Sequence, residues 1–385
     1  MITPNSERIH IGIFGYRNSG KSSFLNTITG QNTSIVSEHK GTTTDPIYKP
    51  MEIHGLGSVV FIDTAGIDDI GELGKLRISK TDSILKKCDI FIYFLSEEDD
   101  LKYLKKINRQ KKPILFVVSK GDTEEHKKIL KKHKALNPFV FTSGDKGKKD
   151  KFLKILLDCF EKNKDRTITE NLVKSNDLVL LVMPQDAQAP KGRLILPQVQ
   201  TIRELLDKKV KILVCDLDTI EDILNDLKKS PDLIITDSQY FKEVFDKKPK
   251  DSKITSFSVL FSAYKGDIEY FRESVKILDN HEKINKILIA EACTHPPDSE
   301  DIGTVKIPNL LKKRLNREIE FEFKRGDDFS DIENYDLIIQ CGSCMFNRTH
   351  TISRVEKAKQ LNIPMTNYGI VIAYLKGILD KVLIP

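Results

Sequence analysis

The stretch that decides how the chain begins to fold is Ile9-His10-Ile11-Gly12-Ile13-Phe14-Gly15, followed by Tyr16-Arg17-Asn18-Ser19-Gly20-Lys21-Ser22 and the run on to Gly30. The β-branched run reads as a short buried strand, and KSSFLNTITG (21–30) reads as a helix stopped by its glycine. Between them, Gly15 to Ser22 matches G-x-x-x-x-G-K-[ST] at every fixed position, in the strand-to-helix setting a phosphate-cradling loop requires. Backbone amides around Gly15, Asn18, Ser19, Gly20 and Ser23 can face phosphate oxygens. Lys21 adds a point charge at the β and γ positions, and the Ser22 hydroxyl can ligate magnesium.

Outward from this loop, the strand SVVFID (58–63) delivers Asp63-Thr64-Ala65-Gly66. A carboxylate at that strand end can hold a metal-bound water, while the Gly66 amide approaches a γ-phosphate. The intervening Gly41-Thr42-Thr43-Thr44-Asp45 has no apolar periodicity. One of its hydroxyls, assigned to Thr43, can complete a magnesium shell only when a γ-phosphate is present, which makes the loop a switch. The strands PILFVVSK and PFVFTS then deliver Ser119-Lys120-Gly121-Asp122 and Thr142-Ser143-Gly144. A carboxylate at Asp122 can accept from guanine N1–H and its 2-amino group together. Adenine has no such donor pair, so GTP or GDP is the expected nucleotide, with Lys120 lying along the base through its aliphatic stem and Ser143 beside it.

This order of motifs over the first part of the chain resembles the translation-factor-like GTPases, and within them the potassium-activated branch that holds Era-like and tRNA-modifying enzymes. Two residues depart from the common pattern. Ser119 stands where N-K-x-D has its Asn, which weakens guanine contacts, and Ile67 stands where Ras-like enzymes carry a water-orienting Gln. The resemblance implies that Asn18 coordinates a potassium ion supplying the missing positive charge; a turn residue is the plainer reading of the same Asn. Slow, potassium-stimulated hydrolysis is expected, carried by Lys21, Asn18, Thr43, Asp63 and Gly66.

Composition bounds the rest. A chain of 385 residues, 39% hydrophobic and 31% charged, describes two or three globular domains. Apolar runs such as LVLLVM (178–183) fall far short of the roughly 20 residues of a spanning helix. The N-terminus MITPNSERIH has no basic start and no apolar core of a secretory leader, so a cytoplasmic location without membrane contact is expected. The net charge of +6 is modest, and its Lys-rich stretches (102–112, 127–134, 146–154) carry helical apolar periodicity. They read as solvated helix faces, and nucleic acid is not the expected partner.

After the polar stretch NKDRTITENLVKSND, strands LVLLVM, KILVCD and LIITD alternate with helical segments as a parallel sheet would. The expected fold class is α/β: a P-loop GTPase domain (1–165), then two smaller domains (166–265 and 266–385) with largely parallel sheets. Gln185, Gln188, Pro190, Lys191, Arg193 and Gln198 make a polar entry to the first crossover of the middle domain, readable as a plain connection or as a subunit interface.

Three of the six cysteines, Cys88, Cys159 and Cys215, sit inside apolar patterns as small core residues. The others lie at strand ends. KILIAEA leads to Cys293-Thr294-His295, and DLIIQ leads to Cys341-Gly342-Ser343-Cys344, with Gly342 expected to ease the turn. In a parallel sheet both ends open on one edge, the usual place for ligands. Three sulfurs with His295 make a Cys3His zinc shell; three sulfurs alone suit a 4Fe-4S cluster with one iron held by a labile ligand. Glu291, Asn367 and Tyr368 are strand-end neighbours that can line such a pocket.

A GTPase domain, a middle α/β domain and this cysteine pattern together resemble the HydF family, the GTPases and scaffolds of FeFe-hydrogenase maturation. The resemblance covers essentially the whole chain. It implies a 4Fe-4S cluster on Cys293, Cys341 and Cys344 whose fourth position is exchangeable. It also implies a homodimer that receives the diiron subcluster precursor from radical SAM enzymes and delivers it to apo FeFe-hydrogenase. The family commonly has His directly before C-x-x-C, where this chain has Gln340, so His295 is either the fourth ligand or a hydrogen-bonding neighbour. The alternative is a potassium-activated, RNA-associated GTPase with a structural Cys3His zinc module.

Overall fold

The run IHIGIFG forms strand β1 (Ile9–Gly15), and the helix that follows, Lys21–Thr29, ends at Gly30, whose φ of +68° is open to a residue without a Cβ. The computed structural model describes residues 3–30, 46–67, 72–97, 101–119, 123–142, 145–161, 166–183, 194–292 and 301–385. It falls into two compact units, 1–164 and 165–385.

In the first unit, β1 is joined by β2 (Ile47–Ile53), β3 (Gly57–Asp63), β4 (Ile90–Phe94), β5 (Ile114–Ser119) and β6 (Phe139–Phe141), in the order β2-β3-β1-β4-β5-β6. All pairings are parallel except β2 with β3. β2, IYKPMEI, is not among the strands expected from the sequence, and it has a proline at its centre. Pro50 stands opposite Val60 on the outer strand, where its missing N–H interrupts no further ladder. Phe24 anchors the first helix to the sheet, edge-on to Phe94, Phe141 and Phe152 at 5.2, 4.8 and 5.0 Å. That contact fixes the helix N-terminus, and with it the glycine-rich loop, over the carboxyl ends of β1 and β3.

The second unit holds two parallel sheets. One comprises β7 (Leu178–Val182), β8 (Lys211–Cys215), β9 (Leu233–Thr236) and β10 (Lys253–Ser256), ordered β10-β9-β7-β8. The other comprises β11 (Lys286–Glu291), β12 (Glu320–Arg325), β13 (Leu337–Gln340) and β14 (Met365–Asn367), ordered β12-β11-β13-β14. The two share a hydrophobic core running from Leu180 and Ile234 to Ile289, Ile339 and Val371. Helices Phe257–Lys265 and Tyr368–Leu375 cross closely at Gly369, where a Cβ would lie 2.6 Å from Ser258 Cβ. The unit's start is tied down by Glu204, whose carboxylate accepts from the Thr169 amide at 2.9 Å and hydroxyl at 2.6 Å, and pairs with Lys208. Among the described residues no helix is long and apolar enough to cross a membrane.

Candidate functional site

In the first unit the loop between β1 and its helix has the backbone the motif demands. Gly15 (φ +145°) and Gly20 (φ +96°) occupy conformations that side chains rarely adopt. Both are also crowded: a Cβ on Gly15 would meet the Phe94 carbonyl at 2.7 Å, and one on Gly20 would meet Ser119 Cβ at 2.7 Å. Asn18 lies at the exposed tip with φ +57°, which asparagine tolerates better than most residues. Ser19 closes the turn by donating to the Tyr16 carbonyl at 2.8 Å. Lys21 is buried at the helix start, its ammonium donating to the carbonyls of Gly15 at 2.9 Å and Tyr16 at 2.6 Å. Ser23 lies exposed in the first turn.

The Asp63 segment is tied to this loop. The Thr64 hydroxyl donates to the Ile13 carbonyl at 2.7 Å, and the Ile67 amide donates to the Gly15 carbonyl at 3.4 Å, with Gly66 buried between them. Ser22 Oγ donates to Asp63 Oδ2 at 3.0 Å, while Asp63 Oδ1 is buried with no hydrogen-bond partner. Burial raises the Asp63 pKa against the opposing pull of Lys21, Ser22 and Lys49. A hydroxyl beside a carboxylate with one uncommitted oxygen, next to a lysine and a helix N-terminus, fits a hydrated magnesium ion on a nucleotide phosphate. Thr43, Lys120, Asp122 and Ser143 lie outside the described residues.

In the second unit, β11 and β13 pair side by side, Ala290 opposite Gln340, so their carboxyl ends open on one edge of the sheet. Cys341 leaves that edge with its amide donating to the Ala290 carbonyl at 3.0 Å. Its Sγ accepts from the amides of Ala292 at 3.1 Å and Ser343 at 3.5 Å. Burial pushes the Cys341 thiol up to about 11; the two amides pull the other way, and Cys344 and Glu291 add to the rise. Cys293 and His295 lie outside the described residues, although Ala292, the neighbour of Cys293, is the residue whose amide reaches Cys341. Among the described residues no group of three or more His, Cys, Asp or Glu is placed to hold a metal ion. Two thiols of the expected three are therefore described, and amide donors to sulfur are the environment a metal-bound thiolate takes.

The turn differs from expectation in one respect. Its left-handed residue is Ser343 (φ +54°); Gly342 has an ordinary φ, and a Cβ there would meet nothing within 4 Å. Ser343 is held in place from below, because buried Gln340 donates from its side-chain amide to Ser343 Oγ. A histidine at position 340 would lack that amide, so Gln340 serves here as a brace of the turn.

Around the thiols lies a polar shell of which the sequence identifies only part. Glu291 is buried, accepting from Tyr368 at 3.2 Å on one oxygen and from Arg325 at 3.2 Å on the other. Burial, with Cys341 and Glu291 nearby, raises the Tyr368 hydroxyl well above its ordinary pKa. Gly303 leaves room for this pair, since a Cβ would come 2.7 Å from Glu291 Oε1. It belongs to a π-helical turn, Ile302–Lys306, of the kind often found at functional sites. Asn367 is instead committed to Ser262 and to capping the Ile370 amide.

Two buried cations of this shell were not legible. Lys265, at the end of an apolar helix, is 2% exposed and donates to the carbonyls of Ser343 (3.0 Å), Cys344 (3.3 Å) and Phe346 (2.8 Å). Arg354 is also buried near Cys341. The only hint in the sequence is an apolar helix ending in a lone Lys before Gly266.

Comparison with known proteins places these features. Residues 168–266 match the hydrogen maturase F dimerization domain, residues 269–385 the hydrogen maturase F tetramerization domain, and residues 10–120 the 50S ribosome-binding GTPase family. GTPase Der of Helicobacter hepaticus is 37% identical over 150 residues, covering 36% of this chain and 31% of that protein. The tRNA modification GTPase MnmE of Helicobacter acinonychis is 37% identical over 131 residues, covering 32% and 29%. The chain thus spans 31% and 29% of the length of these curated relatives. Among solved structures, a variant of Aquifex aeolicus Era bound to GDP and aluminium fluoride aligns over 56% of this chain and 97% of that one, with 19% identity and a TM-score of 0.34. The amino-terminal domain is a GTPase domain, with GTP, GDP and magnesium as its ligands, and the matches that follow it are to oligomerisation domains.

Proposed function

Because the chain belongs to the hydrogen maturase F family, we propose that this hydrogenase maturation GTPase is also an iron–sulfur carrier. In this reading Cys293, Cys341 and Cys344 hold a 4Fe-4S cluster with an exchangeable fourth position. The chain receives a diiron precursor from radical SAM enzymes and passes it to apo FeFe-hydrogenase. The observation that carries the reading is the meeting of two strand ends: the Ala292 amide, which directly precedes Cys293 in the sequence, donates to Cys341 Sγ at 3.1 Å at the edge where β11 and β13 end side by side.

When bound, such a cluster supplies one iron whose ligand can be exchanged. The chain's own residues prepare the place. Ala292 and Ser343 donate to the Cys341 sulfur, which favours its deprotonated form once metal is present. Gln340 and Lys265 hold the loop that presents Cys344. His295 is the fourth ligand or a hydrogen-bonding neighbour. In the GTPase domain Ser22 and Thr43 ligate magnesium, Asp63 holds one of its waters, and Lys120, Asp122 and Ser143 read guanine. Ile67 cannot orient a water, and a potassium ion held by Asn18 would supply positive charge at the phosphates. GTP hydrolysis then acts as a switch on partner binding. Residues 166–265 pair two copies, 266–385 carry the cluster, and the work is done in the cytoplasm.

The test is hydrogen evolution by apo FeFe-hydrogenase after incubation with this chain produced alongside radical SAM enzymes. The Cys344→Ala chain is expected to give background activity, and GTP hydrolysis is expected to run faster in potassium than in sodium. Full maturation without Cys344, or a zinc-loaded chain that binds a specific RNA with a steep salt dependence, contradicts the proposal in favour of the RNA-acting alternative.

A further inference from the structure

Arg354 stands on the second turn of helix Arg348–Gln360, which follows the cysteine loop directly. It is 2% exposed. Its guanidinium lies between two aromatic rings, with Cζ 4.7 Å from the Phe329 centroid and 4.6 Å from that of Phe346. Nη2 donates to the Gly326 carbonyl, whereas Nε and Nη1 are buried with no hydrogen-bond partner. Asp327 and Asp328 act on it electrostatically but hydrogen-bond neither Nε nor Nη1: Asp328 accepts from Ser330, and Asp327 lies 3.8 Å from the His350 ring.

A guanidinium with two unused donors is a costly thing to bury, and an apolar side chain would fill the slot between the rings without that cost. The arrangement makes sense if the donors face an acceptor that arrives later. Gly326, whose carbonyl accepts from Nη2, donates its own amide to the Glu291 carbonyl at 2.9 Å, one residue before the Ala292 amide that reaches Cys341 Sγ at 3.1 Å. The orphaned donors therefore belong to a guanidinium at the sheet edge that Cys341 leaves, with Phe346 of the cysteine loop against it.

We propose that Arg354 is a positioning residue for the anionic group bound at Cys341, its Nε–H and Nη1–H donating to thiolate or inorganic sulfide acceptors there while its charge offsets theirs. This inference rests on the carrier reading above. The aromatic clamp and the Gly326 carbonyl fix the fork, so the donors are pre-organised, and a lysine in the same slot would keep the charge but lose the paired geometry. Removing the positive charge makes reduction of a nearby cluster harder.

The experiment compares the full chain with R354K and R354M after anaerobic loading with iron and sulfide, by an EPR-monitored reductive titration and by thermal unfolding of the metal-free proteins. R354M is expected to shift the midpoint potential to more negative values and R354K to recover part of that shift. Metal-free R354M is expected to unfold no earlier than the parent chain, because two orphaned donors have gone. If R354M does not fold, R354Q against R354K decides the same question. Equal potentials in folded, equally loaded variants overturn the inference alone. A parent chain that takes up no cluster overturns the carrier reading, and the inference with it.

Discussion

Replacing Lys265 by methionine keeps the length and most of the volume of the side chain but removes the ammonium that three carbonyls of the cysteine loop share. The Ser343 carbonyl keeps the Phe346 amide as a donor, whereas loss of the ammonium costs about 1–3 kcal/mol at each of the other two carbonyls, and relief of the ammonium's own burial returns part of this. The net loss should be about 3 kcal/mol, and the loop relieves it by opening rather than by unfolding the unit, since no strand lies within 341–347. Hydrogen exchange of the intact chain reads this directly. At about 1.4 kcal/mol per factor of ten, protection of the amides in 341–347 should fall roughly a hundredfold. The amide of Phe346, bonded to the Ser343 carbonyl at 3.0 Å, is the most informative reporter. The helix Phe257–Lys265 should keep its protection. Unchanged exchange in 341–347 would show that the three hydrogen bonds do not hold the loop, and the reasoning would fail.

Alanine at Gly20 should destabilise the GTPase domain by about 2–4 kcal/mol, the sum of a left-handed backbone penalty and overpacking against Ser119. Ser119→Gly should recover the packing part, and a double-mutant cycle by thermal unfolding that finds no coupling would contradict the contact. Lys21→Ala should lower GTP hydrolysis by at least about a hundredfold while leaving iron uptake at the cysteines unchanged. Glu204 is held below its ordinary pKa: burial opposes the charge, but donors from Thr169 and Ile168, with Lys208, outweigh it. Its stabilisation is therefore complete above the unfolded carboxylate value and is lost as pH falls through the lower folded one. Thermal unfolding of the parent chain and Glu204→Gln should differ at pH 7 and converge under acid.

The phosphate loop was legible because its chemistry is written in the backbone. Gly15 and Gly20 are required by φ and by close neighbours, and a motif of fixed spacing reports both. The central strands were legible because strands buried on both faces are continuous apolar runs, as in β11 and β13. Of the outer strands, β6 and β8 were legible as apolar runs, but β2 and β12 were not. β2 carries Pro50 and Lys49, and β12 alternates Glu and Phe in EFEFKR, so each looks like a polar connection until its neighbour is known. In the cysteine loop the spacing showed where the sulfurs leave the sheet but not what holds them. The left-handed residue proved to be Ser343 and not Gly342, because Gln340 stabilises it from the strand below. Lys265 and Arg354 were missed for the same reason: a lone cation in a helix reads as solvated, and only tertiary packing buries it.

Anaerobic reconstitution with iron and sulfide, followed by visible absorption and low-temperature EPR of the parent chain and Cys341→Ala, tests the central claim most directly. A broad absorption band near about 400 nm and a reducible 4Fe-4S signal are expected, both lost in the variant. A colourless protein holding one zinc ion per chain, unchanged by reconstitution, would contradict the claim.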